Sequence, residues 1–153
     1  MNPLQALVAR SAVASVALLS CAVDAAAQDP DHTAEMRQLG DCHGCVIDGQ
    51  DFSDRSLMGI NMSDARLTAT LFKRARLGIA IFDGATLTGV NFDGANLRGA
   101  SFVGARLVDV TFAQADMRGA VFEGAILEHT DLKPGLLCNT QMPDDEMDNS
   151  DCD

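Results

Sequence analysis

If this chain performs chemistry, the most conspicuous place for it is Cys42-His43-Gly44-Cys45. Two thiols three residues apart with an imidazole between them suit a dithiol redox centre, a metal site or covalent haem attachment. Haem attachment needs a His directly after the second Cys, and Val46 stands there. A redox pair draws its low thiol pKa from a helix start in a strand–helix–strand setting, and no such pattern surrounds this one. Zinc needs four ligands, and beyond Cys42, His43 and Cys45 the only other His are His32 and the distant His129. Thiol redox or metal binding at Cys42, His43 and Cys45 is therefore a secondary reading, and no metal is assigned.

The remaining polar residues are no more suggestive. No supported Ser/His/Asp order, phosphate-binding Gly loop or His-Glu-x-x-His run is present. The acids Asp83, Asp93, Asp109, Asp116 and Glu123 recur along the chain like a solvated face. No catalytic residue and no cofactor is assigned, and the chain reads as a non-enzyme. Its 153 residues carry 11 Lys+Arg against 22 Asp+Glu, with no Trp or Tyr. That excludes a basic groove or aromatic stacking platform for nucleic acid and leaves basic or neutral partners.

What positions these side chains is a beat of five. From Phe52 to Leu132 a large apolar residue occupies every fifth position, seventeen times in succession. Two residues earlier runs a smaller series, including Ala65, Ala75, Ala85, Ala95 and Ala105, and two residues later Gly recurs eight times between Gly59 and Gly124. A period of five fits neither a helix at 3.6 nor a continuous strand at 2. It fits a chain that advances a few extended residues, turns a corner and repeats. Residues two apart in an extended piece share a face, so the small and the large residue point inward together. Gly at the corner permits a positive φ.

Ala95-Asn96-Leu97-Arg98-Gly99 and Ala115-Asp116-Met117-Arg118-Gly119 resemble the pentapeptide-repeat family, whose consensus is Ala-(Asp/Asn)-Leu-x-x; the resemblance covers residues 50–134. It implies an all-β fold, a right-handed quadrilateral β-helix with four repeats and 20 residues per coil. Seventeen repeats then give about four coils and a shaft roughly 20 Å tall at ~4.8 Å per layer. The central residues sort into four ladders, two rich in Phe and two nearly all Leu. Arg66, Arg76, Arg106, Leu71, Ile81, Val121 and Ile126 depart from the consensus at the outward Asp/Asn position, which affects surface chemistry more than fold.

The flanks complete four regions: 1–27, 28–49, 50–137 and 138–153. Residues 1–27 read as a signal peptide: Arg10, a short apolar run, then Ala25-Ala26-Ala27 before a cut. The run is too short to span a membrane. Leu18-Leu19-Ser20-Cys21 is a weak lipobox, giving a lipid anchor at Cys21 as the minority alternative. Residues 28–49 are expected to form an N-terminal cap with a short helix begun at Asp31 or Thr33 and ended by Gly40. The acidic tail 138–153 is expected to be mobile apart from its cysteines. With export, four Cys remain and suggest disulfides. Under the implied coil spacing Cys42 and Cys138 lie roughly 23 Å apart, beyond the ~7 Å Cα reach of a disulfide. The expected bridges are Cys42–Cys45 and Cys138–Cys152.

The best-known members of the family are DNA mimics that bind topoisomerases, which makes a DNA-mimic inhibitor the alternative function. The charge distribution opposes it, because residues 50–134 hold ten acids and nine bases. Arg76, Arg98 and Arg118 even fall on one face. The favoured reading is an exported scaffold, periplasmic or secreted, that binds a protein partner or itself. Its candidate contact face comprises Ile81, Val103 and Val121, with Val108 and Ile126 on the next face.

Overall fold

The structure, a computed structural model, describes residues 41–153. The expected signal peptide, the lipid anchor at Cys21 and the capping helix lie outside the described residues. The chain forms an all-β solenoid. Strands β1 (Val46–Asp48), β2 (Arg66–Thr68), β3 (Thr86–Thr88), β4 (Arg106–Val108) and β5 (Ile126–Glu128) make one parallel sheet in sequence order. Each pairs with the next at a shift of 20 residues, as in Val46↔Arg66 and Arg106↔Ile126. About four turns therefore separate β1 from β5. The other three sides are held by single parallel bridges, such as Asn61↔Ile81, Leu71↔Asn91 and Arg76↔Asn96. Each coil donates in both directions: Asn91 N–H to Thr70 O at 3.0 Å, Phe92 N–H to Thr111 O at 2.9 Å.

The core is the set of inward positions. Phe52, Phe72, Phe92 and Phe112 stack with ring centroids 5.2–5.3 Å apart, and Phe82, Phe102 and Phe122 stack at 4.8 Å. The two columns meet edge-on at 5.6–6.4 Å, the geometry that suits the ring quadrupoles. Leu67, Leu77, Leu87, Leu97 and Leu107 complete the interior, and the Ala series packs between them. No buried side-chain polar atom among the described residues lacks a hydrogen bond.

Corners follow the same beat. From residue 44 to residue 129 every fifth backbone has φ between 46° and 72°. Ten of these eighteen corners are Gly; Asp54, Asp64, Ala69, Arg74, Ile79, Asp109, Gln114 and His129 take the rest. Pro134 falls on the next corner. Its ring fixes φ near −65°, so the regular coil is interrupted there.

The start of the shaft differs from the sequence reading. The first coil begins inside the expected cap: Cys42 N–H donates to Asn61 O, and Ile47 sits in register with Leu67. Cys42 and Ile47 occupy central positions, and Cys45 fills a small one. Cys42 is smaller than the Phe or Leu usual at a central position, which hides the first step of the beat. At the other end Leu137 is buried and Leu136 bridges Asp116.

The tail is not loose. Strand β6 (Thr140–Gln141) pairs antiparallel with β7 (Met147–Asp148), and the buried Thr140 hydroxyl donates to Met117 O at 2.9 Å. Asp151 N–H donates to Leu137 O, and its carboxylate accepts from Leu137 N–H. These bonds hold a segment whose acidic composition alone suggested mobility.

Candidate interaction surface

Four faces are available, named here by a central residue: the Phe82 face, the strand face around Leu87, the Phe92 face and the Leu97 face. On every strand of wall the central side chain points in and its two neighbours point out. Outward Asp or Asn does more than decorate. Oδ1 of Asp51, Asn61, Asn91, Asn96 and Asp131 accepts the backbone N–H two residues on, at 2.9–3.1 Å. The consensus Asp/Asn thus satisfies an amide entering the corner, a local role missed when that position was treated as surface chemistry alone.

The cysteines lie at the ends. Cys42 and Cys45 are bonded to each other, Cα atoms 5.2 Å apart, and both are buried in the first coil. Each sulfur already has its partner, so neither is a metal ligand in this structure. His43 is exposed with Nε2 3.9 Å from Asp64. Among the described residues no group of three or more His, Cys, Asp or Glu side chains could hold a metal ion. Cys138 and Cys152 are bonded, Cα atoms 4.9 Å apart, tying the tail to the last coil.

Ile81, Val103 and Val121 lie together on the Phe82 face. Ser101 bridges both Ile81 and Val121, and Val103 follows two residues after Ser101. Ile81 and Val103 are 36% and 37% exposed; Val121 is half-buried. Asp83 stiffens this wall, accepting from Val103 N–H at 3.0 Å and from the Ser101 hydroxyl. Val108 and Ile126, on the strand face, are not one patch. The register sets Val108 beside Glu128 and Ile126 beside Arg106, and Arg106 forms an ion pair with Glu128 between them.

Ile79, 63% exposed, escaped sequence reasoning. It stands at the corner leading into the Phe82 face, where Gly59, Gly99 and Gly119 occupy the same column. The signal was available: an aliphatic residue on a Gly beat.

Four of the nine Lys and Arg side chains among the described residues form ion pairs. Arg74 and Asp54 form two hydrogen bonds of 2.8 Å, which hold the Asp54 carboxyl below its usual pKa. Arg118 grips Asp116 in the same way and Arg98 approaches it at 3.8 Å. Hydrogen bonding to Arg118 therefore lowers the Asp116 pKa despite partial burial. Arg76, Arg98 and Arg118 all project from the Leu97 face. The concave features are shallow; one of about 330 Å³ lies beside Arg98, Arg118 and Asp151. No helix of the described residues is long and apolar enough to cross a membrane.

Two family profiles described as pentapeptide repeats match the chain, at residues 60–99 and 88–133. Among solved structures, a pentapeptide repeat protein from the Arabidopsis thaliana thylakoid lumen is 29% identical. That match covers 70% of this chain and 71% of the other, with a TM-score of 0.53. Rfr23, a pentapeptide repeat protein from the cyanobacterium Cyanothece 51142, is 20% identical over 73% of this chain and 95% of its own, TM-score 0.34. Full-length QnrB1, a plasmid-mediated fluoroquinolone resistance protein, is 15% identical over 69% and 82%, TM-score 0.25. No curated protein sequence matches the chain.

Proposed function

Because this chain belongs to the pentapeptide-repeat family, we propose that it is an exported, non-enzymatic scaffold that binds a protein through the Phe82 face. The observation that carries this reading is a wall on which Ile81 and Val103 are exposed and Val121 half-exposed beside them. Grouped exposed aliphatics mark contact sites more often than scattered ones do. Binding rather than catalysis is favoured by the form of the surface: convex walls, shallow depressions, and acids that face solvent or tie corners. Export, to the periplasm or the exterior, is supported by the residues 1–27 pattern and by two disulfides, which persist in oxidising compartments. The Arabidopsis neighbour is likewise lumenal.

DNA mimicry is the weaker alternative, since Arg76, Arg98 and Arg118 line a face that a mimic would keep acidic. A gyrase supercoiling assay with the mature protein is expected to show no inhibition. The direct test is a photo-cross-linker placed at Val103, with a control at Asp93, in cells carrying the protein in its native envelope. Capture at 103 but not at 93, abolished by Ile81→Asp with Val121→Asp, supports the reading. Equal capture at both positions, or none, refutes it.

A further inference from the structure

The near neutrality of the shaft conceals a partition among its faces. The Phe82 face and its far corner carry Asp41, Asp64, Asp83 and Glu123 and, among the described residues, no Lys or Arg. The adjoining Leu97 face carries three Arg against Asp116 alone. The corners repeat the asymmetry. Seven of the ten positive-φ glycines lie on the two corner columns bordering the Phe82 face, through residues 59, 99 and 119 and through 44, 84, 104 and 124. A partner therefore meets bare backbone at both margins and aliphatic side chains between them. Ile79 is the one aliphatic tooth on those columns. Its φ of 54° is a conformation that β-branched residues resist, and it lies over Gly59 and Gly99 with most of its surface in water. Packing within the shaft does not account for it.

Resting on the reading that this face binds protein, we propose that the partner presents a cationic segment bearing exposed aliphatic side chains, and that Ile79 extends the contact. Charge complementarity selects that chemistry: four acids frame the aliphatic strip, no Lys or Arg stands among them, and the one imidazole nearby, His43, approaches Asp64 only to 3.9 Å. A second copy is disfavoured by the −11 charge that every copy carries. An extended segment of six to eight residues reaches about 20–26 Å at ~3.3 Å per residue, matching the height of the stack.

The test is a backbone-amide NMR titration of the mature, oxidised protein with the octapeptide acetyl-Lys-Leu-Lys-Val-Lys-Leu-Lys-Val-amide. Its Glu-for-Lys counterpart and octalysine serve as comparisons. Saturable shifts are expected at 81–84, 101–104 and 121–124. Affinity should fall at least tenfold in 0.5 M salt, for octalysine, and for Asp64→Asn with Glu123→Gln, while Ile79→Gly weakens binding several-fold without loss of fold. Equal binding of the Glu peptide, shifts centred on the Arg-bearing face, or no binding would overturn the proposal. So would concentration-dependent self-association lost in Val103→Asp. The two levels separate cleanly: a partner captured at Val103 through an acidic or uncharged segment sinks this proposal and leaves the protein-binding reading standing.

Discussion

Phe92→Ala in the middle of the shaft and Phe52→Ala at its start remove the same atoms from the same column and should differ in effect. Phe92 is wholly buried, stacks on Phe72 at 5.2 Å and Phe112 at 5.3 Å, and meets Phe82 and Phe102 edge-on. Phe52 is half-buried and has one aromatic neighbour, Phe72 at 5.3 Å. Truncating a fully buried Phe costs about 3–5 kcal/mol through lost transfer energy and the cavity left behind. At Phe52 about half the transfer term applies and the end can relax, so roughly 1.5–2.5 kcal/mol is expected. With a urea slope of about 1–3 kcal/mol/M, a difference of about 2 kcal/mol between the variants separates their midpoints by roughly 0.7–2 M. Urea melts of the oxidised full chain, followed by far-UV circular dichroism, measure this directly. Equal midpoints would refute the claim that each layer draws its stability from the layers above and below.

Other consequences concern corners, bridges and charge. Gly104 has φ 63° and open space around an added Cβ, so Gly104→Ala should cost about 1 kcal/mol for the left-handed backbone alone. Gly78 has no positive φ and ordinary 3.8 Å clearance to Arg98 O, so Gly78→Ala should be neutral or stabilising by about 0.4–1 kcal/mol in the same melts. Opening Cys138–Cys152, whose partners are 14 residues apart, should release about 3 kcal/mol of loop restraint. In a stacked repeat that loss stays local: amide exchange should quicken across 136–151 and remain unchanged at 80–100, and uniform acceleration would contradict it. Asp116 ionises more readily folded than unfolded because Arg118 bonds its carboxylate. Its contribution is complete above the unfolded value near 3.8 and is lost as pH falls through the lowered folded value. Denaturant melts from pH 7 to pH 2 should therefore fall less steeply in acid for Arg118→Gln; an unchanged profile would remove Asp116 from the account.

The interior was readable from the sequence because repetition multiplies weak signals. Phe72 or Ala75 alone says little, but seventeen large residues at one spacing admit few chain geometries. The ends were harder for the same reason. Cys42 holds a central position with a side chain that does not advertise it, and Ile47 is a single aliphatic beside it. Thr140 is wholly buried because its hydroxyl reaches Met117 O, a partner 23 residues away. The contact face was only half visible. Ile81, Val103 and Val121 follow from period-20 bookkeeping, whereas Val108 and Ile126 share a face yet are parted by the Arg106–Glu128 ion pair, which depends on side-chain reach across a layer.

A square solenoid separates what it must be from what it can display. Inward positions are fixed by stacking, and corners by a positive φ that Gly meets without strain. Outward positions contribute little to stability, apart from Asp or Asn side chains that satisfy the amide entering the next corner. An outward residue that opposes its local preference therefore calls for a reason outside the fold. Ile81 and Val121 give up that amide bond, and Ile79 accepts a backbone that Gly would adopt freely. All three stand on or beside the one face that carries acids without Lys or Arg. Val46, Leu71, Ile126 and Leu136 make the same departure on the other walls, so what sets the Phe82 face apart is that Ile81 and Val121 flank Val103, with Ile79 at the margin and no Lys or Arg among them.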